Sequence, residues 1–139
     1  MTGFIIKTND NQTIRFKYYN DAAPISVAAF HKVLPFTLSF YHARTSGQEF
    51  WIADAFEFDI IQENASVFTE QGEIVLGTLK PSRVKTSGAI GIYYGEGKGL
   101  DAANIFGKVV DEDLPKLKAL GEKIWKQGEQ EITFEKIIN

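Results

Sequence analysis

A chain of 139 residues with 44% apolar and 24% charged residues has the make-up of one globular domain spanning 1–139, which excludes a disordered tail, a collagen-like rod and a helical membrane protein. Its 15 Lys and Arg against 18 Asp and Glu leave a net charge of −3, so no general attraction draws it to nucleic acid or to an anionic membrane. The absence of cysteine removes disulfides, thiolate metal sites and cysteine nucleophiles.

In chain order, residues 3–7 and 13–19 read as a hairpin turning at Asn9-Asp10-Asn11, because Ile14, Phe16 and Tyr18 alternate with Thr13, Arg15 and Lys17. Pro24 opens a helix, Val27, Phe30 and Leu34 recur at helical spacing, and Pro35 ends it. Residues 36–44, 49–53, 73–79, 89–94 and 105–110 read as strands, each rich in aromatic or β-branched residues. A second helix starts near Asp113, a candidate N-cap, with Pro115 in its first turn. It carries Leu117, Leu120 and Ile124 as one stripe and stops at Gly128. Ile132, Phe134 and Ile137 mark a last strand. Eight strands and two helices that do not alternate point to a mainly β fold, a closed antiparallel eight-stranded barrel capped by two helices, since closure removes exposed edges.

If residues 45–48 form the loop of a hairpin, Arg44 lies opposite Glu49, His42 opposite Trp51 and Phe40 opposite Ala53. Alternation then places Phe40, His42, Arg44, Glu49 and Trp51 on one face, with Tyr41, Ala43, Phe50 and Ile52 on the core side. Aromatic area beside a bidentate guanidinium makes such a face a candidate ligand surface, while an ordinary cross-strand Arg44–Glu49 pair is the plainer reading. Charge is also segregated. Residues 45–79 hold acids and no Lys or Arg, whereas 80–98 hold Lys80, Arg83, Lys85 and Lys98 against Glu96 alone. That polarity fits either ligand steering or mutual neutralisation of adjacent loops.

Several strings carry a resemblance: Ala23-Pro24, Leu34-Pro35, Ala43-Arg44-Thr45-Ser46-Gly47 before Phe50-Trp51, and Asn104-Ile105-Phe106-Gly107-Lys108-Val109-Val110. Leu117 to Gly121 with Trp125, Gly128 and Ile132-Thr133-Phe134-Glu135 complete the set. In this order, over about residues 4–138, they resemble the small bacterial cyclophilin-like proteins, uncharacterised single domains with the cyclophilin barrel. The resemblance implies an eight-stranded barrel and, on the strand after the first helix, an arginine in an aromatic-rich groove that polarises a prolyl peptide bond. Arg44 is the matching residue, and Tyr94, Asn104 and Phe106 are placed near that groove. The Phe-x-x-Gln-Gly-Gly segment of the isomerases is replaced by Thr45-Ser46-Gly47-Gln48-Glu49-Phe50-Trp51, and their groove tryptophan and histidine have no counterpart between Gly88 and Asp113.

Other chemistries have less support. Gly95, Gly97 and Gly99 with Lys98 imitate a phosphate cradle, but such a cradle needs a helix start and residues 100–104 lead into a strand, so a plain loop is expected. Only His31 and His42 are present, without a metal-binding motif, so no metal and no cofactor are expected. The start lacks the basic flank and apolar run of a secretory signal, so a cytoplasmic location is expected. Three readings of function follow. The first is a small molecule or short peptide bound in an Arg/aromatic groove. The second is prolyl isomerisation by Arg44, and the third is an assembly subunit without a small ligand, a homo-oligomer being one form, whose Trp51 face is buried by another chain.

Overall fold

Ile14, Phe16 and Tyr18 all turn inward while Thr13, Arg15 and Lys17 face water, as an alternating strand with one buried face requires. The computed structural model describes residues 1–80 and 86–138, so the basic residues Arg83 and Lys85 lie outside the described residues. The strands are β1 (Gly3–Thr8), β2 (Thr13–Tyr18), β3 (Phe36–His42), β4 (Gly47–Ile52), β5 (Ala65–Phe68), β6 (Glu73–Leu76), β7 (Ile90–Val109) and β8 (Gln130–Lys136). Helix α1 (Pro24–Val33) lies between β2 and β3, and α2 (Leu114–Gln127) between β7 and β8. No helix among the described residues is long and apolar enough to cross a membrane.

All pairings are antiparallel and run β2-β1-β8-β3-β4-β7. The early part of β7 pairs with β4 and β6, and its late part pairs with β6 and β2, so the hydrogen bonding returns to its start and the ring closes. This is the expected closed, mainly β architecture with two helices. Two details differ. The two expected strands at 89–94 and 105–110 are joined in one long strand over Ile90–Val109, and the intervening glycines mark close approach rather than a loose loop. At Gly97, for example, a Cβ would press on the Tyr93 ring, 2.7 Å away. Strand β5, three half-buried residues and the exposed Phe68 laid on β7, has no periodicity long enough to read.

Phenylalanines fill the interior. Phe134 on β8 stacks on Phe36 at 4.6 Å and on Phe40 at 5.4 Å, and Phe30 from α1 closes on Phe4 at 4.9 Å and on Phe106 at 4.7 Å. Leu117, Leu120 and Ile124 of α2 are buried as their spacing predicts. Asp113 precedes α2 without capping it. Its carboxylate instead accepts the Arg15 backbone N–H at 2.8 Å and the guanidinium at 2.9 and 3.1 Å, so the acid ties the helix start to β2.

Helix α2 reaches the sheet through Gly121, where a Cβ would land on the Tyr94 ring. Alanine is the better helix former by about 1 kcal/mol. We expect Gly121→Ala nevertheless to lower the thermal midpoint, because the helix must lift from a buried ring. A midpoint at or above wild type would show that the ring yields freely.

Candidate functional site

The β3–β4 hairpin decides what faces outward. Tyr41 pairs with Trp51 and His42 with Phe50, and the Ala43 N–H donates to the Glu49 carbonyl at 2.8 Å. The sequence reading, which set Arg44 against Glu49 and His42 against Trp51, is therefore one residue out. Such a slip exchanges the two faces of one strand relative to the other. Its cause is the turn. Gly47 adopts φ +97°, and the register against β7 shifts between Gly47 and Glu49, so the connection covers residues 43–46 and β4 enters the hairpin with an irregularity at its start.

The single face expected for Phe40, His42, Arg44, Glu49 and Trp51 is thus corrected. Phe40 and Phe50 are both fully buried inside the ring, with centroids 6.1 Å apart, so Phe50 is core as expected and Phe40 joins it on the inner side instead of the outer face. Tyr41, expected in the core, is 50% exposed. Phe106 is also fully buried against Phe30. Asn104 has no exposed surface. Its side-chain amide donates to the Ser26 hydroxyl at 2.9 Å and to the Ile61 carbonyl at 3.0 Å, and its oxygen accepts from the Glu63 N–H at 3.2 Å. Those bonds fix α1 and the segment before β5 to β7, and they use both amide N–H donors of Asn104 inside the fold.

What the structure does bring together is Arg44, Glu49 and Trp51. All three line a hollow of about 530 Å³ on the outer side of the ring, with Tyr93, Val75 and Leu100 completing its apolar wall. Arg44 stands exposed at the rim and Trp51 is half-buried. Glu49 is 7% exposed. The Ser46 hydroxyl donates to its Oε1 at 2.5 Å, and the Tyr93 phenol hydrogen-bonds the same carboxyl. Its cross-strand neighbourhood explains how it fits: Gly91 is the residue beneath, and any Cβ there would collide with the carboxylate. Burial pushes the Glu49 carboxyl up to about 7, against the opposing pull of the Ser46 and Tyr93 hydrogen bonds. Burial and the adjacent acid likewise raise the Tyr93 phenol. No described lysine or arginine pairs with Glu49.

His42 and Tyr94 belong to a second recess, of about 610 Å³, between the hairpin turn and α2. The His42 Nδ1 donates to the Ala43 carbonyl at 2.8 Å, so in the neutral ring Nε2 accepts from the Tyr94 hydroxyl at 2.7 Å. The Trp125 ring lies 4.7 Å from that imidazole and is 65% exposed. His42 and Arg44 touch both recesses. The glycines around Lys98 form part of β7, with no helix start beside them, so neither the phosphate cradle nor the plain loop describes them.

Sequence reasoning missed Tyr93, Ser46 and Leu100 as wall residues. Period-two alternation in Tyr93-Tyr94 was the available signal, because one ring of such a pair must face out when the other faces in. Tyr94 joins the main core, while Tyr93 joins Val75 and Ile105 in a small outer cluster.

The closed eight-stranded ring with two helices is a cyclophilin-like fold. The fold matches that of a cyclophilin-type peptidyl-prolyl cis-trans isomerase from Cryptosporidium parvum, studied in the presence of the dipeptide Ala-Pro. That match has a TM-score of 0.66 and 16% identity and covers 99% of both chains. The chain belongs to the DUF3830 family, described as a protein of unknown function, whose pattern matches residues 6–136. McbB, in a structure with tryptophan, is similar at TM-score 0.79 and 18% identity over 98% of this chain, which spans 45% of the length of that one. The hypothetical protein AF2241 from Archaeoglobus fulgidus gives a TM-score of 0.67 and 16% identity, covering 98% of this chain and 95% of that one. No curated protein matches the sequence.

Proposed function

We propose that this domain binds a small molecule or short peptide in the hollow bounded by Arg44 and Trp51. The observation that carries this reading is the convergence of a guanidinium, an indole and a buried acid on one cavity of about 530 Å³, within the range of roughly 300–1,000 Å³ usual for ligand pockets. The indole and the Tyr93 ring offer flat apolar contact, and the guanidinium can hold a carboxylate through two parallel hydrogen bonds. The ligands named for two fold relatives, tryptophan and Ala-Pro, are of the size this hollow accommodates and support the reading.

A thermal-shift screen of amino acids, dipeptides and small carboxylates tests it. A ligand present at 100 times its dissociation constant stabilises the fold by about 2.7 kcal/mol. Arg44→Ala and Trp51→Ala should each weaken that ligand about tenfold, equivalent to about 1.4 kcal/mol. Absence of any response in wild type, or unchanged responses in both variants, would contradict the reading.

Prolyl isomerisation by Arg44 is the second reading, favoured by the shared fold and by the position of Arg44 at the rim of the hollow. There the guanidinium would donate to the twisted amide and lower a barrier of about 18–20 kcal/mol. A protease-coupled proline-peptide assay separates the two. Acceleration over the uncatalysed tens of seconds, lost in Arg44→Ala, would establish catalysis, and a rate equal to the uncatalysed one would leave binding alone.

A further inference from the structure

The reading above counts Glu49 among the walls of the hollow but assigns it no ligand group. It is an acid on the wall of an open hollow, 7% exposed, held by two hydroxyl groups and by no described cation. Removing a carboxylate from water is costly unless a countercharge accompanies it, and a carboxyl without one keeps its proton instead. A cation entering the hollow can take the place of that proton. The groups facing Glu49 leave the role open. Arg44 stands at the rim of the turn, Val75 of β6 is neutral, and Tyr41 and His42 come from β3. His42 is bonded to the Ala43 carbonyl and to Tyr94. From β7 come Tyr93, which shares the carboxyl, and Asp101, which accepts from the Thr86 hydroxyl at 2.7 Å.

We infer that the hollow selects ligands carrying a free basic amine, with Glu49 receiving the ammonium and Arg44 taking a carboxylate at the rim. The ligand class is then the free amino acid or a short peptide, with its side chain against Trp51, Tyr93 and Leu100. This inference rests on the binding reading above. On binding, the ligand enters as its ammonium form, the Glu49 O–H bond breaks, and one proton passes to solvent for each ligand bound. With the free carboxyl titrating at about 7, affinity falls tenfold for each pH unit below that value and levels off above it.

The experiment is titration calorimetry with L-phenylalanine, 3-phenylpropionate, which lacks the amine, and phenethylamine, which lacks the carboxylate. It runs from about pH 5.5 to pH 8, in buffers of different ionisation enthalpy. Phenylalanine should bind tightest, with one proton released below pH 7, and 3-phenylpropionate at least tenfold more weakly at pH 8. Glu49→Gln, which keeps the shape and the oxygen facing Ser46, should lose both the slope and the preference for the amine. Tyr93→Phe removes a hydrogen bond that favours the ionised acid, so it should move the break in the slope to higher pH. Equal affinity for phenylalanine and 3-phenylpropionate at every pH, or an unchanged slope in Glu49→Gln, would overturn the inference and leave the binding reading intact. It would also be overturned if none of the three probes bound while other members of the thermal-shift screen did. If nothing in that screen bound, both would fall.

Discussion

Truncating Phe134 to alanine lowers the unfolding free energy by about 3–5 kcal/mol, the cost of emptying an aromatic site in a packed core. The ring has no exposed surface and meets Phe36, Phe40, Phe4 and Phe30 at centroid distances of 4.6, 5.4, 5.8 and 6.1 Å. Those neighbours come from β1, α1 and β3, so the interior cannot collapse onto the gap without moving strands whose ladders fix them. Against a total of about 5–15 kcal/mol for a domain, the loss is a large fraction of the stability. Urea unfolding should show a lowered midpoint at unchanged slope, and Phe134→Leu should recover part of the difference. A loss below about 1 kcal/mol would mean that the aromatic stack does not organise the ring.

The second large effect is a dependence of stability on pH centred on Glu49. Its carboxyl titrates near 4.5 when unfolded and near 7 when folded. Between those values the unfolded chain has released the proton and the folded one still holds it, so raising the pH favours unfolding. The stabilisation is complete below the unfolded value and is lost as pH climbs through the folded one. At about 1.36 kcal/mol per pKa unit, the interval corresponds to about 3 kcal/mol. Glu49→Gln cannot titrate, so wild type should lose about that much relative to the variant between pH 4.5 and pH 8. Parallel stability profiles for the two proteins would show that the acid is not held out of water.

The sequence was most legible where side chains report on one interface at a time. The alternation of Ile14, Phe16 and Tyr18 and the stripe of Leu117, Leu120 and Ile124 each face a single core, and both are buried as read. The hairpin at residues 40–52 was legible as a pair of strands but not in its register. Register there depends on Gly47 at positive φ and on a shift against β7, which no local pattern reveals. Strand β7 was divided because its glycines look like a loop, while their role is to admit the Ser46 backbone and the Gln48 side chain from across the sheet and the Tyr93 ring from their own strand. Asn104 and Phe106, placed near the groove by resemblance, lie one layer too deep. Arg44, Glu49 and Trp51 share the hollow, though Trp51 pairs with Tyr41 rather than with His42.

The two tryptophans offer the most direct test of ligand binding in this hollow. Trp51 lines it, whereas Trp125, on α2, borders the second recess with His42 and Tyr94. In proton–nitrogen correlation spectra the two indole N–H signals can be followed separately, with Trp51→Phe supplying the assignment. On titration with any ligand that raises the thermal midpoint, the Trp51 indole signal should shift to saturation while that of Trp125 stays in place. Movement of Trp125 with Trp51 unmoved would contradict the account, because the ligand would then occupy the recess between the hairpin turn and α2.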